Sequence, residues 1–158
     1  MYAPFVRLLT FRLSREQMLA LDRRHLVAGL VATWIVGMGR WWDDPGARLL
    51  QKLGLGSVIY AFVLALVLWL VVLPLRPADW SYRRVLTFVT MTAPPAMLYA
   101  IPVERLTDMN TASQLNMWFL AVVALWRVAL LLRFFVVLPR IGVFKSVVAA
   151  LLPLVAIV

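Results

Sequence analysis

The sequence predicts an all-α membrane protein, a polytopic bundle of about five transmembrane helices preceded by an N-terminal amphipathic segment at the membrane interface. Three observations support this fold class. Of the 158 residues, 64% are hydrophobic, against roughly 45–50% in soluble domains. The apolar residues form runs that are long enough to cross a bilayer, and the basic residues gather at the ends of those runs. A soluble domain of this length could not bury so much apolar surface.

Residues 1–25 are the predicted amphipathic segment on the cytoplasmic face. Arginines alternate there with large apolar residues, and no uninterrupted apolar run or small-residue cleavage site of a signal peptide follows the start. Ser14 and Gln17 have the spacing of a capping box, in which each side chain accepts a hydrogen bond from the other residue's backbone N–H. We therefore expect a helix that begins near Ser14 and lies on the headgroups, with a disordered basic tail as the alternative.

Residues 26–158 are the predicted transmembrane bundle. Its spans cover residues 26–42, 57–75, 85–103, 116–138 and 141–158. The second span is the clearest, because nineteen residues at 1.5 Å each cover roughly 30 Å, the thickness of the hydrocarbon core. The last run reaches Val158 without a polar flank. Either it ends buried at the far interface or the chain is a truncated fragment, and we favour truncation.

The net charge of +9 is distributed unevenly along the chain. The N-terminal segment, the loop around 76–84 and the junction around 133–145 carry most of the lysines and arginines, whereas most acidic residues lie in the other loops. Because basic loops stay in the cytoplasm, the N-terminus is predicted to be cytoplasmic and the C-terminus outside. The excess of arginine over lysine is typical of GC-rich bacteria, so we expect the bacterial inner membrane. Lipid headgroups account for the charge, and no nucleic-acid partner is expected.

The residues with chemical potential do not form a catalytic or metal-binding pattern. The chain has no cysteine and one histidine, His25, which excludes disulfides, thiolate chemistry and cysteine or histidine metal clusters. No nucleophile elbow, glycine-rich phosphate loop or zinc helix motif is present. Asp43 and Asp44 could together bind a cation, but a solvated turn explains them better, and His25 is interpreted as an interfacial histidine. The sequence predicts a protein that is not an enzyme and has no cofactor.

The sharpest feature is an arginine inside the fourth predicted span. Arg127 lies at its centre, where a charge costs about 2.5–3.5 kcal/mol on insertion scales. The third span carries Pro94 and Pro95 at its centre, and these prolines leave the carbonyls of Thr90 and Met91 without their helical donors. Because consecutive spans are antiparallel, the two midpoints should share one depth. We therefore expect the Arg127 guanidinium to donate to these carbonyls.

This predicted intramembrane polar site, to which Thr87 and Thr92 could add hydroxyls, has three interpretations. Arg127 could act as a structural clamp on the broken helix. It could instead form, with the broken helix, a binding site for an anionic headgroup or substrate, as broken helices do in transporters. In the third interpretation, Arg127 reaches towards a water defect and pairs with nothing.

Two stripes of small residues predict close helix packing. They are Gly29, Thr33 and Gly37 in the first span and Ser57, Ala61 and Ala65 in the second. Small residues repeated every four positions let helix backbones approach closely in lipid. We expect these faces to pack within the chain, against a second copy, or against another membrane protein.

Two segments resemble bacterial Ypt-interacting (YIP-type) membrane proteins: TAPPAMLYAIP at 92–102 and NMWFLAVVALWRVALLLRFF at 116–135. Proteins of this family have a cytoplasmic N-terminal segment followed by five closely spaced helices. The resemblance implies a non-enzymatic scaffold or trafficking-like role and transfers no site residue. The predicted function is therefore a non-catalytic scaffold or accessory subunit of a membrane assembly. The alternative is a small transporter or lipid-handling protein with its site near Pro94, Pro95 and Arg127.

Overall fold

A computed structural model describes residues 2–39, 46, 48–75, 77, 79–138, 142, 144–145, 147–148 and 151. Every regular element among these residues is helical, which confirms the predicted all-α class. The α-helices are α1 (Tyr2–Leu9), α2 (Arg15–Leu19), α3 (Arg23–Met38), α4 (Leu49–Lys52), α5 (Leu55–Val72), α6 (Tyr82–Met91) and α7 (Met109–Val137). Short 3₁₀ segments follow α5 and α6, at Leu73–Leu75, Pro94–Ala100 and Val103–Arg105.

Among the described residues, two helices are long and apolar enough to cross a membrane, Leu55–Leu75 and Met109–Val137. The pair Tyr82–Met91 and Pro94–Arg105 is a third candidate if it forms one bent span. This is fewer than the five spans predicted. Helix α3 has 16 residues, about 24 Å at 1.5 Å per residue, which is shorter than the hydrocarbon core. Residues 40–42 of the first predicted span and most of 141–158 lie outside the described residues.

The third predicted span is broken at the predicted position. Helix α6 ends at Met91, and the next 3₁₀ segment begins with Pro94 and Pro95. Pro94 has no N–H to donate to the carbonyl of Thr90, so the α-helical ladder cannot continue. The axes of the two parts differ by 43°, a bend of the kind that proline causes in long helices.

Helices α3, α5 and α6 approach closely because small residues lie between them. A Cβ added to Gly29 of α3 would lie 2.5 Å from Oγ1 of Thr90 in α6. A Cβ added to Gly37 would lie 2.7 Å from Oγ of Ser57 in α5. The buried members of the two predicted small-residue faces are Gly29, Thr33, Gly37, Ala61 and Ala65. Both faces are thus used for packing within the chain.

The N-terminal segment shares its hydrophobic core with the longer helices. Leu8, Leu13 and Met18 are no more than 3% exposed and belong to the same cluster as Phe88 of α6 and Phe134 of α7. The two phenylalanine rings stack with their centroids 4.0 Å apart. Residues 2–20 therefore pack on the bundle, and their predicted position on the headgroups stays a prediction.

Polar side chains also attach this segment to α7 and to the loop before α6. Trp126 donates its indole N–H to the Leu9 carbonyl at 2.9 Å. Arg133 donates to the Leu13 carbonyl at 3.2 Å. Arg15 forms an ion pair with Asp79, with 2.6 Å between Nη2 and Oδ2. Trp126 and Arg133 lie about two turns apart on α7, so the segment follows the helix over that distance.

Both N-terminal helix starts are capped by side chains. Gln17 donates its backbone N–H to Ser14 Oγ at 3.3 Å, and Ser14 donates its N–H to Gln17 Oε1 at 3.1 Å, so the predicted capping box is confirmed. At the start of α3, Asp22 Oδ1 accepts from the N–H groups of Arg24 and His25 and lies 2.7 Å from His25 Nδ1. The contact with the imidazole lowers the pKa of Asp22 below its ordinary value of 3.8. His25 is therefore part of a helix cap.

Candidate functional site

A cavity of about 390 Å³ lies between α3, α5, α7 and the 3₁₀ segment Pro94–Ala100. Its position follows from the broken span. Because α6 stops at Met91 and the chain turns by 43°, a straight continuation of α6 does not fill this space. The volume falls within the range of roughly 300–1,000 Å³ that is typical of small-molecule sites.

Short side chains form much of the wall of this cavity. The wall includes Gly37 and Gly39 from the end of α3, Ala61 from α5, and Ala93 and Ala96 at the bend. Larger residues at these positions would occupy the space themselves. The same small residues that allow close helix packing at one depth therefore leave an open volume beside the bend.

Polar side chains form part of the cavity wall. The polar lining residues are Thr33, Ser57, Tyr60, Tyr99, Asn116 and Arg127. Arg127 is the charged member, and none of the described lining residues is acidic. The nearest carboxylate contact is at one end, where the Asn116 amide donates to Glu104 Oε1 at 2.5 Å. The described lining residues therefore carry a net positive charge.

Arg127 is half-buried and contributes to the cavity wall. In the part of the chain that the structure describes, its guanidinium has no hydrogen-bond or ion-pair partner. Helical side chains lean towards the N-terminus of their helix, so Arg127 extends towards Asn116, whose Cα lies about 16 Å away along α7. This tendency favours a guanidinium that points towards the Asn116 end of the cavity.

The predicted contact between Arg127 and the Thr90 carbonyl is not formed. That carbonyl accepts from the hydroxyl of Thr33 at 3.3 Å and from the N–H of Ala93 at 3.2 Å. The physical reason is the close approach of α3 and α6 at Gly29, which brings a neutral hydroxyl to the carbonyl. Thr33, which the sequence indicated only as a packing residue, shares its one hydroxyl proton between this carbonyl and the nearer Gly29 carbonyl, at 2.9 Å, and so adds to the hydrogen bond from Ala93.

The other predicted site residues also have local roles. Thr87 and Thr92 donate their hydroxyls to carbonyls of their own helix, those of Arg83 and Val89, at 2.7 Å in each case. Met91 is fully buried. Pro94 and Pro95 start the 3₁₀ segment and produce the bend. Of the five residues assigned to the polar site, Arg127 is the one that lines the cavity.

The sequence did not single out Tyr60, Tyr99 and Asn116. Each lies near the end of a predicted span, where tyrosine and polar residues are ordinary at a membrane interface. Their positions in the predicted spans could have indicated the site. Because the spans are antiparallel, all three residues lie towards the end of the bundle where residues 103–116 connect two spans. Only the bend brings Tyr99 back towards Asn116 and the start of α5.

The remaining candidates do not add to this site. Asp43 and Asp44, the alternative cation site, lie outside the described residues. In the described ranges, no group of three or more histidine, aspartate or glutamate residues could hold a metal ion. The cavity beside Arg127 is therefore the candidate functional site.

No protein-family model, curated protein or solved structure matches this chain. The resemblance to YIP-type proteins stays a prediction, and the assignment of function depends on the geometry of the cavity.

Proposed function

We propose that this chain is a non-catalytic integral membrane protein that binds an amphiphilic anion from the bilayer in the cavity beside Arg127. One observation carries the proposal: a guanidinium within the candidate span Met109–Val137 lines a cavity and has no partner among the described residues. Charges at such depth cost about 2.5–3.5 kcal/mol and usually face a protein interior or water, where they mark binding sites and transport pathways. An anion at Arg127 would offset that cost.

The exposure of two lining residues supports the proposal that the ligand enters from the membrane. Tyr60 of α5 and Leu120 of α7 both line the cavity, yet they are 46% and 56% exposed. Neighbouring residues on the same two helices are also exposed and apolar, among them Ile59, Val63 and Met117. A molecule dissolved in the lipid can therefore enter between α5 and α7 without crossing a polar barrier.

We also propose the five-span topology in a bacterial inner membrane, with the N-terminus in the cytoplasm. The apolar run at 141–158 and the basic residues at 76–84 and 133–145 support it. Helix α3 would complete the first span together with residues 39–42, which include two tryptophans suited to the interface.

The scaffold or accessory-subunit role draws no support from the packing of the small-residue faces. Gly29, Gly37 and Ala61 face helices of the same chain, so these faces are not available to a partner. Recruitment of another membrane protein would need a different surface, and this role stays a prediction.

Native lipid nanodiscs provide the test of ligand binding. Wild type, Arg127→Gln and Arg105→Gln would be purified with their surrounding lipid, and the bound anionic amphiphiles would be quantified by mass spectrometry. A hydrogen bond to a charged group contributes about 1.5–3 kcal/mol, so Arg127→Gln should retain about tenfold to a hundredfold less ligand. Arg105 is exposed and does not line the cavity, so Arg105→Gln should match wild type.

Equal amounts of bound amphiphile in wild type and Arg127→Gln would overturn the proposal. Thermal unfolding of the same samples separates binding from a structural clamp. Arg127→Gln should unfold no earlier than wild type once the ligand has been removed, because replacing the arginine removes a charge from the middle of the bilayer.

A further inference from the structure

We infer that the ligand is a single-chain amphiphile with one negative charge, of the fatty-acid type. Its carboxylate lies at Arg127, and its chain leaves the cavity between Tyr60 and Leu120. This inference rests on the proposed function and specifies the chemical class of the ligand.

The charge of the cavity favours a monoanion. Among the described lining residues, Arg127 is the cation and none is an acid that would compete with a ligand for it. A carboxylate carries one negative charge and presents two oxygens that fit the planar guanidinium. A monoalkyl phosphate carries about −1.5 to −2 at neutral pH. Its second charge would be left unpaired in a medium of low dielectric constant, where an uncompensated charge is costly.

Neutral donors are available for the remaining lone pairs of a carboxylate. The hydroxyls of Tyr60, Tyr99 and Ser57 line the cavity and make no hydrogen bond to another described residue. Thr33 is different, because its hydroxyl already contacts the carbonyls of Gly29 and Thr90. The described part of the site thus combines one cation with uncommitted hydroxyl donors, the set that an oxyanion requires.

The size and walls of the cavity favour a single chain. A volume of about 390 Å³ lies near the lower end of ligand-site volumes. It accommodates a carboxylate and the first part of one chain, not the glycerol and two chains of a phospholipid. The methyl groups of Ala61, Ala93 and Ala96 provide apolar contacts for methylene groups. The rest of the chain lies in the lipid beyond Tyr60 and Leu120.

A photo-crosslinking competition tests this class of ligand. The full chain would be placed in nanodiscs of zwitterionic lipid and labelled with a long-chain fatty acid that bears a diazirine near its carboxylate. The competitors are the unlabelled fatty acid, its primary alcohol, the matching alkyl phosphate, and acetate. The fatty acid should displace the label, whereas the alcohol and the alkyl phosphate should be at least tenfold weaker and acetate should have no effect. Labelled peptides should come from the cavity wall.

Two alanine substitutions provide a matched pair for the volume of the site. Ala96→Leu fills the cavity, because Ala96 lines it and is 8% exposed. Ala129→Leu adds the same atoms at an exposed position of α7. Labelling should fall at least tenfold in Ala96→Leu and stay unchanged in Ala129→Leu. The competition series on the unmodified chain decides the question if Ala96→Leu does not fold.

The outcomes distinguish the ligand class from the proposed function. If the alkyl phosphate or a two-chain anionic phospholipid displaces the label better than the fatty acid, the inferred class is wrong and the Arg127 site stands. If the fatty acid labels wild type and Arg127→Gln equally, both the inference and the proposed function are wrong.

Discussion

The hydroxyl of Thr33 in α3 lies 3.3 Å from the carbonyl of Thr90 in α6, one turn before Pro94. The same hydroxyl lies 2.9 Å from the Gly29 carbonyl of its own helix. Thr33 and Thr90 are 6% and 0% exposed, so water does not compete for this contact. The one hydroxyl proton is shared between these two carbonyls, and the Ala93 N–H also donates to the Thr90 carbonyl at 3.2 Å. Together these donors satisfy the carbonyl that proline leaves free, which allows a broken helix to persist among apolar surroundings.

Replacing Thr33 with valine should weaken the fold at the bend. Valine keeps the shape of threonine but leaves the Thr90 carbonyl with only the N–H of Ala93. Hydrogen bonds between membrane helices contribute about 0.6 kcal/mol on average and up to about 1.7 kcal/mol. Because the hydroxyl proton is shared with the Gly29 carbonyl, we expect a loss near the average. Unfolding of the detergent-solubilised protein by increasing SDS would measure the loss.

Thr10→Val is the matched control for this substitution. The Thr10 hydroxyl contacts only the Val6 carbonyl, one turn earlier in the exposed N-terminal segment. We expect little change there. A Thr33→Val protein as stable as wild type would show that the hydrogen bond between the helices does not contribute to stability.

Two glycines at the start of α5 should respond in opposite ways to alanine. Gly54 has φ of 73°, and a Cβ there would lie 2.5 Å from the Trp34 carbonyl oxygen and 2.9 Å from the Met38 amide nitrogen. The left-handed conformation costs a non-glycine residue about 1–2 kcal/mol, and the backbone of α3 would also have to move. Gly54→Ala should therefore lose more than about 2 kcal/mol of unfolding free energy.

Gly56→Ala provides the comparison two residues later. Its Cβ would meet nothing closer than Gln51 Cγ at 3.8 Å, and Gly56 lies in the first turn of α5. Alanine should raise the unfolding free energy there by about 0.5–1 kcal/mol. Equal effects of the two substitutions would contradict the role assigned to the conformation of Gly54.

Trp126→Phe should loosen the N-terminal segment without unfolding the bundle. The substitution keeps an aromatic ring but removes the N–H that donates to the Leu9 carbonyl at 2.9 Å. Hydrogen exchange should become faster in residues 2–13, whereas the amides of α5 and α7 should keep their protection, because terminal segments open locally while the rest of the bundle stays folded.

Trp118→Phe serves as the control for Trp126→Phe. Trp118 lies on the same helix, is 68% exposed and should leave the exchange of residues 2–13 unchanged. Faster exchange in both variants would point to a general effect on α7 and not to the contact with Leu9.

Asp108 should make the start of α7 sensitive to acid. The N–H groups of Thr111 and Asn110 donate to its Oδ1 at 3.0 and 3.1 Å, and the Thr111 hydroxyl donates to Oδ2 at 2.7 Å. These hydrogen bonds, first that of the Thr111 backbone, lower the pKa of Asp108 below its ordinary value of 3.8. A carboxylate with a lowered pKa stabilises the fold fully above the ordinary value, and this stabilisation is lost as the pH falls through the lowered value.

Thermal unfolding of wild type and Asp108→Asn in detergent, from about pH 6 down to about pH 2, would detect this contribution. Asparagine also caps helices but does not titrate. The Tm of wild type minus that of Asp108→Asn should be constant at higher pH. Below the ordinary pKa of aspartate this difference should decrease, because only wild type loses stability there. Parallel Tm curves over the whole range would contradict the assignment.

Local features of the chain were readable in the sequence. The capping box of Ser14 and Gln17, the break before Pro94 and the small-residue face around Gly29 each depend on residues a few positions apart, and the structure has all three. Apolar run length likewise predicted helices that could cross a membrane, although the described residues contain two or three such spans and not five.

The contacts across helices depended on tertiary packing. The sequence could place Arg127 and Thr90 at one depth, but not the rotation of α3 that brings Thr33 to the Thr90 carbonyl and leaves Arg127 facing a cavity. Depth follows from counting residues along one helix, whereas side-chain partners follow from the rotation and crossing of several helices together. Those angles arise from the close approach at Gly29 and Gly37 and from the bend after Met91, and no single stretch of sequence contains them.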